Sequence, residues 1–467
     1  MQYISTRGQS PAVSFEDAVL TGLAPDGGLY IPAELPQVSA AQLKAWATLS
    51  YQDLAFVIIK PFVAGAIPDA ELRAMIVASY ANFSDPKIAP LKHLYDNHYV
   101  LELYCGPTLA FKDFALQLLG RLLDYFLSRR QQHIAILGAT SGDTGSAALE
   151  GCKHSQYLDL FILHPYQRVS EVQRRQMTTV QGNNVNNIAL EGDFDDCQGI
   201  LKKAFADQRF LPSGYQLGAV NSINWARIMA QIVYYFYAAL PFLDRGATAV
   251  SFTVPTGNFG DIYAGYLAKK MGLPVRQLVI ATNRNDILHR FISGNRYHKT
   301  ALEPSLSPSM DIMVSSNFER FLYDLFQGDS ARLTRFVTGL STEVQQVSAD
   351  EWAWARTHFD SASVDDATTC ATIKEVKQHT GFLLDPHTAT GVKAAALCDK
   401  DSATPMITLG TAHPAKFAVA IEQAGFATPA LPPHMADLFQ REERYTVLPN
   451  SLEAVKAFMV QALAHKR

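Results

Sequence analysis

The sequence has little cysteine and no excess of charge of either sign. Its five cysteines are an odd number and include no Cys-x-x-Cys pair; they are Cys105, Cys152, Cys197, Cys370 and Cys398. This argues against a disulfide framework and a zinc site, and it favours a reducing cytoplasm. Lysine and arginine total 40 against 44 aspartates and glutamates, and the net charge is −4. The basic residues are dispersed, so we expect no nucleic-acid partner. We also expect no metal.

The sequence also lacks a signal peptide and a long apolar run. The first residues, Met1 to Gly8, do not have the charged and then apolar pattern of a secretory signal. No run approaches the roughly 18 apolar residues that a membrane helix needs. We therefore predict a soluble protein of the cytoplasm with no membrane partner. With 467 residues, 48% hydrophobic and 18% charged, the chain is long enough for two or three folded domains.

Hydrophobic periodicity changes along the chain. In residues 1 to 95 the apolar residues mostly recur at the spacing of a helix, and helices are predicted over 41–49, 51–59 and 69–77. Two short strands about an Asp96-Asn97 turn follow, and short apolar strands then alternate with helices. The predicted strands are 133–137, 158–163, 184–190, 249–254, 277–281 and 406–409, and a long helix over 222–237 marks the passage between two units. This alternation predicts parallel sheets in an α/β architecture.

These patterns predict three parts of the chain. Residues 1–95 form a helical N-terminal domain. Residues 96–430 form a catalytic region of two α/β domains, of which the smaller covers approximately 130–220. Residues 431–467, which begin with Leu431-Pro-Pro-His434, form a C-terminal tail that packs on the catalytic region.

Lys112 lies in the segment Leu103-Tyr-Cys-Gly-Pro-Thr-Leu-Ala-Phe-Lys-Asp-Phe114, where an amphipathic helix is predicted to begin. Thr108 can cap that helix, which puts Lys112 in its first turns among apolar neighbours. Burial and the positive end of a helix both lower the pKa of an ammonium group, and Schiff base formation requires a neutral amine. The alternative is a solvated surface lysine without a chemical role.

Two glycine-containing turns each lie between a predicted strand and a predicted helix. Thr256-Gly-Asn-Phe-Gly-Asp261 can direct backbone N–H groups at a ligand, and the dipole of the next helix favours an anion. This turn matches neither the Walker loop nor the dinucleotide fingerprint. Gly138-Ala-Thr-Ser-Gly-Asp-Thr-Gly145 offers hydroxyl and N–H groups in a similar way. Each could instead be an ordinary strand-to-helix turn.

A lysine that can form a Schiff base and a turn that can bind a phosphate together favour pyridoxal phosphate as the cofactor. Its aldehyde is held covalently, and its phosphate is held by N–H groups and a helix dipole. The second turn then suggests a substrate with its own negative groups. Late in the chain, Leu409-Gly-Thr-Ala-His-Pro-Ala-Lys416 ends a strand, where the ligand crevices of parallel sheets lie. There Thr411 can donate to a pyridine nitrogen, whereas His413 is expected to be structural.

Eight motifs follow one another almost from end to end of the chain. They are Tyr3-Ile-Ser-Thr-Arg-Gly8, Pro25-Asp-Gly-Gly-Leu-Tyr-Ile-Pro32, Gly106-Pro-Thr-Leu-Ala-Phe-Lys-Asp113, Thr140-Ser-Gly-Asp-Thr-Gly145, Asn221-Ser-Ile-Asn-Trp-Ala-Arg227, Gly257-Asn-Phe-Gly-Asp261, Leu306-Ser-Pro-Ser-Met-Asp-Ile312 and Thr411-Ala-His-Pro-Ala-Lys416. Together they closely resemble the threonine synthase family, in its longer form with an added N-terminal domain. The resemblance implies a fold-type-II pyridoxal phosphate enzyme, similar to the tryptophan synthase beta subunit, with two parallel-sheet α/β domains and a helical N-terminal domain.

The resemblance also implies roles for individual residues. Lys112 would form the Schiff base, and Thr411 would contact the ring nitrogen of the cofactor. The cofactor phosphate would be held by Gly257, Asn258, Phe259, Gly260 and Asp261. Asp143 replaces an asparagine that many relatives have near the cofactor hydroxyl, so its contact with the ring stays open. The candidate substrate groups are Ser141, Thr144, Arg227, Ser5, Thr6, Arg7 and Asn224, because a dianion favours hydroxyls, helix N-termini and guanidinium donors. For Arg227 the alternative is a helix-surface ion pair, and His387 either faces the substrate or caps a helix.

The implied reaction converts O-phospho-L-homoserine and water into L-threonine and phosphate. The γ-phosphate is eliminated and water adds at Cβ, with Lys112 as the base that removes the α-proton. Two alternatives stay open. A phospho-lyase of the same family would release 2-oxobutyrate and ammonia from this substrate. A non-catalytic phosphate-binding or regulatory protein would need neither Lys112 nor both turns, so their presence weighs against it.

Overall fold

The computed structural model describes residues 1–140 and 142–464. Its backbone contacts divide the chain into two compact units. Unit 1 consists of Met1–Ala18, Leu23–Phe111 and Ser222–Ala430. Unit 2 consists of Val19–Gly22, Lys112–Asn221 and Leu431–Arg467.

The described residues form thirteen strands. They are β1 (Tyr3–Ser5), β2 (Tyr30–Pro32), β3 (Leu91–Tyr95), β4 (His98–Glu102), β5 (His133–Ala139), β6 (Leu158–Pro165), β7 (Val185–Glu191), β8 (Tyr215–Gly218), β9 (Val250–Pro255), β10 (Val275–Thr282), β11 (Phe359–Ser363), β12 (Met406–Gly410) and β13 (Thr446–Pro449).

The same residues form eighteen α-helices. They are α1 (Phe15–Thr21), α2 (Ala40–Trp46), α3 (Tyr51–Val63), α4 (Asp69–Tyr80), α5 (Lys112–Arg130), α6 (Asp143–Cys152), α7 (Glu171–Thr178), α8 (Phe194–Ala206), α9 (Trp225–Asp244), α10 (Gly260–Lys270), α11 (Ile287–Gly294), α12 (Phe318–Leu325), α13 (Ser330–Gly339), α14 (Ala349–His358), α15 (Asp366–Thr380), α16 (Pro386–Cys398), α17 (Ala418–Gln423) and α18 (Leu452–Ala464).

A six-stranded sheet with the order β11-β10-β9-β12-β4-β3 forms the centre of unit 1. Its neighbours pair in parallel except for the antiparallel hairpin of β3 and β4, which turns at Asp96 and Asn97 as predicted. β9 and β12 are parallel neighbours, and they lead directly into Thr256 and Thr411. Because the carboxyl ends of parallel strands share one edge of a sheet, both predicted cofactor segments begin at the same edge.

Helix α9 is almost entirely buried in unit 1. Its 20 residues are long and apolar enough to cross a membrane by length and composition, and 83% of its most apolar 18-residue window is buried inside the protein. The expectation that no run approaches a membrane span is therefore wrong for this segment. Burial on all sides explains the composition, because a helix without a solvent-facing side needs no polar face.

A five-stranded sheet with the order β13-β7-β6-β5-β8 forms the centre of unit 2, and all its neighbours pair in parallel. Its core joins the sheet to α8 and α18, with Phe161, Ile188 and Met459 among the fully buried side chains. The carboxyl end of β5 leads into the turn that precedes α6. The prediction of two parallel-sheet α/β units is confirmed, although one edge strand of unit 1 is antiparallel.

Candidate active site

Lys112 is the first residue of α5, as its position near a helix start predicted. Its side chain is only 13% exposed, and its Nζ lies 3.6 Å from Oδ2 of Asp143, the first residue of α6. The predicted cap is wrong, because Thr108 lies four residues before the first helical residue. The carbonyl of Thr108 instead accepts a hydrogen bond from Nζ of the buried Lys416, at 3.0 Å.

Asp143 has a second partner that the sequence did not identify. Its Oδ1 accepts a hydrogen bond from Nε2 of Gln173 in α7, at 3.0 Å. Oε1 of Gln173 in turn accepts a hydrogen bond from Oγ of Ser170, at 2.8 Å. Both oxygens of Asp143 thus face a donor, and the carboxylate is fixed between the lysine and the amide. In the sequence Gln173 is an ordinary polar helix residue, and only the folded chain brings it to Asp143.

In the turn between β5 and α6, a side chain forms hydrogen bonds with the backbone of the same turn. Oγ1 of Thr140 accepts hydrogen bonds from the N–H groups of Gly142, at 3.0 Å, and Gly145, at 3.1 Å. Those two N–H groups are therefore not directed at a ligand, contrary to the simplest interpretation of this turn. Thr144 is half-buried in the first turn of α6. Ser141 lies outside the described residues.

The turn between β9 and α10 differs from this one, because its backbone N–H groups are not used within the turn. Within the described part of the chain, the N–H groups of Gly257, Asn258, Phe259 and Gly260 donate to no protein acceptor. Four successive N–H groups at the start of an 11-residue helix form a concentrated positive potential. This is the arrangement that binds phosphate at helix N-termini.

The carbonyl groups of this turn are held by residues just before α12. The carbonyl of Gly257 accepts from Oγ of Ser315, at 2.6 Å, and the carbonyl of Asn258 accepts from the backbone N–H and Nδ2 of Asn317, at 3.0 and 3.1 Å. In a trans peptide the C=O and the following N–H point in opposite directions. The N–H groups of Asn258 and Phe259 therefore point away from Ser315 and Asn317.

The glycines of this turn are required for close packing, and they do not adopt a left-handed backbone conformation. Neither Gly257 nor Gly260 has φ in the left-handed region, and the positive φ of +65° belongs to Phe259. A Cβ at Gly257 would lie 2.7 Å from the carbonyl oxygen of Ser309.

The carboxylate of Asp261 accepts the N–H of Ile262, at 2.8 Å, and it cannot donate to a phosphate. Asp261 can therefore contact an anion only through its backbone N–H.

Thr411 lies immediately after β12 and is 95% buried, at 5% exposure. Its carbonyl accepts the N–H of Phe111, at 2.9 Å, and Phe111 immediately precedes Lys112 in the chain. Its N–H donates to Oγ1 of Thr388, at 3.3 Å, and Thr388 donates to the carboxylate of Asp385. The backbone of Thr411 is thus fixed, and its hydroxyl has no hydrogen bond to another residue in the described part of the chain.

His387 and His413 both form hydrogen bonds within unit 1. Nδ1 of His387 contacts Oδ1 of Asp385 at 2.9 Å, and its Nε2 accepts the N–H of Ser309 at 3.2 Å. Both ring nitrogens of His387 are thus engaged within the protein. Asp385 is the residue that caps α16. Nδ1 of His413 accepts the N–H of Ala415, at 3.2 Å, as its predicted structural role requires.

Arg227 lies in the first turn of α9, and it is not on the helix surface. Its side chain is buried, and burial lowers its pKa to about 10, which leaves it positively charged at neutral pH. The surface ion pair considered from the sequence is therefore wrong. Asn224 caps α9, with its side-chain oxygen accepting the N–H of Ala226 at 3.0 Å. This buried cap leaves Asn224 with a structural role in addition to any contact with substrate.

The Ser5-Thr6-Arg7 segment is bonded within unit 1. Oγ of Ser5 donates to Asp26, at 2.7 Å, and Oγ1 of Thr6 donates to Glu319, at 2.7 Å. The guanidinium of Arg7 donates through two nitrogens to the two oxygens of Glu319, at 3.3 and 3.1 Å. Arg7 would have to exchange this carboxylate for a substrate phosphate.

The start of α12 connects three of the predicted segments. Nδ2 of Asn317 donates both to the carbonyl of Asn258 and to that of Ser222, each at 3.1 Å. The completely buried Arg320 donates to the carbonyl of Ile223, at 2.6 Å, and Glu319 holds Thr6 and Arg7. Residues 317–320 therefore link the glycine turn, the start of α9 and the N-terminal segment. None of these residues is predicted from the sequence to belong to the site.

Three family models match the chain in succession. The model described as threonine synthase N terminus matches residues 2–80. The model described as pyridoxal-phosphate dependent enzyme matches residues 87–406, and the model for the C-terminal part of threonine synthase matches residues 388–459. These matches follow the chain in the order that the motifs predicted.

Known proteins resemble the chain over its whole length. It is 59% identical to threonine synthase of Pseudomonas aeruginosa over 463 residues, which covers 99% of this chain and 98% of the relative. A crystal structure of threonine synthase from Brucella melitensis with bound pyridoxal phosphate superposes with a TM-score of 0.95 at 47% identity, and 99% of each chain is covered. The yeast threonine synthase structure gives a TM-score of 0.94 at 42% identity, with the same coverage.

Proposed function

The chain belongs to the threonine synthase family of pyridoxal-phosphate-dependent enzymes, and we propose that it converts O-phospho-L-homoserine and water into L-threonine and phosphate. The observation that carries this proposal is a family match from end to end of the chain. The match includes Lys112, a mostly buried lysine that begins a helix and lies beside a carboxylate. A phosphate-accepting turn of four N–H groups supports it. The proposed substrate has a phosphate of its own, and Arg227 is a buried cation that suits it.

The residues of the chain fit pyridoxal phosphate. When bound, the cofactor supplies an aldehyde that holds the amino group of the substrate and a ring that withdraws electrons from its α-carbon. Lys112 would hold the aldehyde in the resting enzyme. The N–H groups of residues 257–260 would bind the phosphate, and the hydroxyl of Thr411 would donate to the ring nitrogen. A hydroxyl keeps that nitrogen less positive than a carboxylate would, and so it moderates the electron withdrawal.

Lys112 would move the proton that the reaction requires. As a free amine, Lys112 would be the base that removes the α-proton of the substrate. The neighbouring Asp143 would stabilise the ammonium that results, because opposite charges 3.6 Å apart in a mostly buried site attract each other. The same pair would then return the proton at a later step.

Arg227 and Thr144 would orient the phosphate of the substrate. A buried guanidinium has lost its water and gains most from a dianion, to which it can donate two parallel hydrogen bonds. Ser141 is proposed beside them on the strength of the motif alone. Ser5, Thr6, Arg7 and Asn224 would contribute by shaping the backbone around the substrate, since their side chains are bonded to neighbours in unit 1.

We further propose the three-part division of the chain, with residues 1–95 as the N-terminal domain, 96–430 as the catalytic region and 431–467 as a tail. The match of the N-terminal family model to residues 2–80 supports the first part. We also propose a cytoplasmic location without nucleic-acid or membrane partners. The low charge and the five free thiols support that assignment.

Product analysis tests the proposed function. The purified protein is incubated with pyridoxal phosphate and O-phospho-L-homoserine, and threonine, phosphate and 2-oxobutyrate are quantified. We expect threonine and phosphate in nearly equal amounts, and no product from Lys112→Ala, the matched control. Phosphate accompanied mainly by 2-oxobutyrate would assign the chain to the lyase alternative. Binding of phosphate without turnover would assign it to the non-catalytic alternative.

A further inference from the structure

Gln173 is held on both sides by hydrogen bonds inside unit 2. Its Nε2 donates to Oδ1 of Asp143 at 3.0 Å, and its Oε1 accepts from Ser170 at 2.8 Å. Only 6% of the residue is exposed. An amide nitrogen donates and does not accept, so Oδ1 of Asp143 must be an acceptor. This bond favours the ionised carboxylate and sets its plane.

The turn before α6 packs directly on Gln173. Gly142 has φ of +142°, and a Cβ at this position would lie 2.7 Å from Cβ of Gln173. A side chain at Gly142 would therefore push Gln173 away from Asp143. The glycine allows the close approach of the two helices that hold the amide and the carboxylate.

The other charged groups on these elements are engaged elsewhere. Burial, with Arg174 as a second cause, lowers the pKa of His164 at the end of β6 to about 4, so this imidazole is neutral near pH 7. Asp113, the neighbour of Lys112 in α5, is completely buried. Besides the pair of Lys112 and Asp143, ion pairs among the described residues of α6 and α7 include Lys153 with Glu150, and Arg174 and Arg175 with both Glu171 and Glu443.

We propose that Gln173 is a positioning residue that keeps Asp143 ionised and turned toward the nitrogen of Lys112. The inference rests on the proposed function, in which Lys112 holds the cofactor. With the carboxylate fixed at 3.6 Å, the nitrogen of Lys112 keeps a negative partner in the resting enzyme. Without Gln173 the carboxylate loses a donor and its orientation, and the nitrogen loses part of that stabilisation.

The test is a pH titration of the visible absorbance of the resting holoenzyme, without substrate. The absorbance reports the protonation of the nitrogen that Lys112 shares with the cofactor. Gln173→Met keeps the length of the side chain and removes the donor, so we expect the midpoint to fall by roughly one pH unit. Asp143→Asn should lower it further. The matched control is Gln176→Met, because Gln176 lies in the same helix and is similarly buried at 3% exposure.

A double variant separates positioning from general damage to the fold. In the Asp143→Asn background, Gln173→Met should produce no further shift, because the carboxylate on which it acts is gone. Ser170→Ala removes the hydroxyl that orients the amide and that also caps α7, and it should give a smaller shift in the same direction. An equal shift in both backgrounds, or an unchanged midpoint in Gln173→Met, would overturn the inference. An unchanged midpoint in Asp143→Asn would also overturn the inference, whereas an imine absorbance that persists in Lys112→Ala would overturn the assignment of Lys112.

Discussion

Replacement of Gly257 by alanine tests the proposed phosphate turn with the smallest possible change. The added Cβ would lie 2.7 Å from the carbonyl oxygen of Ser309, a backbone atom that cannot rotate aside. The loop of Ser309 is itself tied to His387, which accepts its N–H. The turn must therefore move away from this loop, and the N–H groups of residues 257–260 must move with it.

The expected magnitude follows from the cost of overpacking. Insertion of a methyl group at a site that cannot relax costs about 1–3 kcal/mol. To bind the cofactor phosphate, the displaced turn must return to its strained position, so the strain reappears as lost affinity. At about 1.4 kcal/mol per factor of ten, the dissociation constant of pyridoxal phosphate should rise by about 5- to 150-fold.

The assay is a fluorescence titration of the cofactor-free protein with pyridoxal phosphate, with urea unfolding measured in parallel. Gly199→Ala is the matched control, because a Cβ at Gly199 in α8 meets no atom within 4 Å. Gly260→Ala should have a smaller effect than Gly257→Ala, because its Cβ meets the side-chain nitrogen of Asn317 at 3.1 Å. Unchanged cofactor affinity in Gly257→Ala, together with lowered stability, would refute this turn as the phosphate site.

Three further outcomes are expected. Borohydride reduction should fix the cofactor to Lys112, and Lys112→Ala should bind it only noncovalently; peptide mapping of the adduct to another lysine would contradict the assignment. Arg227→Ala should lower kcat/KM by about 10- to 150-fold, the loss of one charge-assisted contact, while the visible spectrum of the cofactor stays unchanged; loss of cofactor with normal kinetics after reconstitution would reverse the two phosphate assignments. The folded-state pKa of His164 is about 4 against an ordinary value of 6.5, so this group stabilises the fold above pH 6.5 and loses that contribution as pH falls to 4. His164→Gln should remove at most about 3 kcal/mol of this pH dependence of unfolding, and an unaltered pH dependence would refute the buried neutral imidazole.

Apart from the edge strand β3, which its hairpin turn identifies, the strands predicted from the sequence lie inside the two sheets. β5, β6, β9, β10 and β12 are buried on both faces, and their continuous apolar runs make them recognisable. The strands that were missed in these two sheets, β8, β11 and β13, are edge strands. Edge strands are short and partly exposed, so their sequences resemble those of loops. β11, for example, contains Asp360, Ser361 and Ser363 among five residues.

The parts of the candidate site that could be predicted are those that neighbouring residues in the sequence define. The turn at 256–261 follows a strand and opens a helix, and Lys112 begins a helix, so both could be located from neighbouring residues. The residues that orient them could not. Gln173 lies 30 residues from Asp143, and Asn317 lies 59 residues from Asn258. Their hydrogen bonds depend on the packing of whole elements, and their side chains are of types that are usually found on surfaces.

The reason for a residue type was harder to predict than its position. The sequence indicates that the glycines of the 256–261 turn let the backbone direct its N–H groups at an anion. The structure gives the positive φ to Phe259 and uses Gly257 for a close approach to Ser309. A glycine motif therefore identifies a turn reliably, while the atom that excludes a side chain is known only from the fold.

The most direct test of threonine formation by this chain is the origin of the product's hydroxyl oxygen. The reaction is run on O-phospho-L-homoserine in water labelled with heavy oxygen, and the threonine and phosphate are analysed by mass spectrometry. Elimination followed by hydration at Cβ predicts one solvent oxygen in the hydroxyl group of threonine, with threonine and phosphate in nearly equal amounts. Release of phosphate with 2-oxobutyrate as the main organic product, or threonine without solvent oxygen in its hydroxyl, would contradict the account.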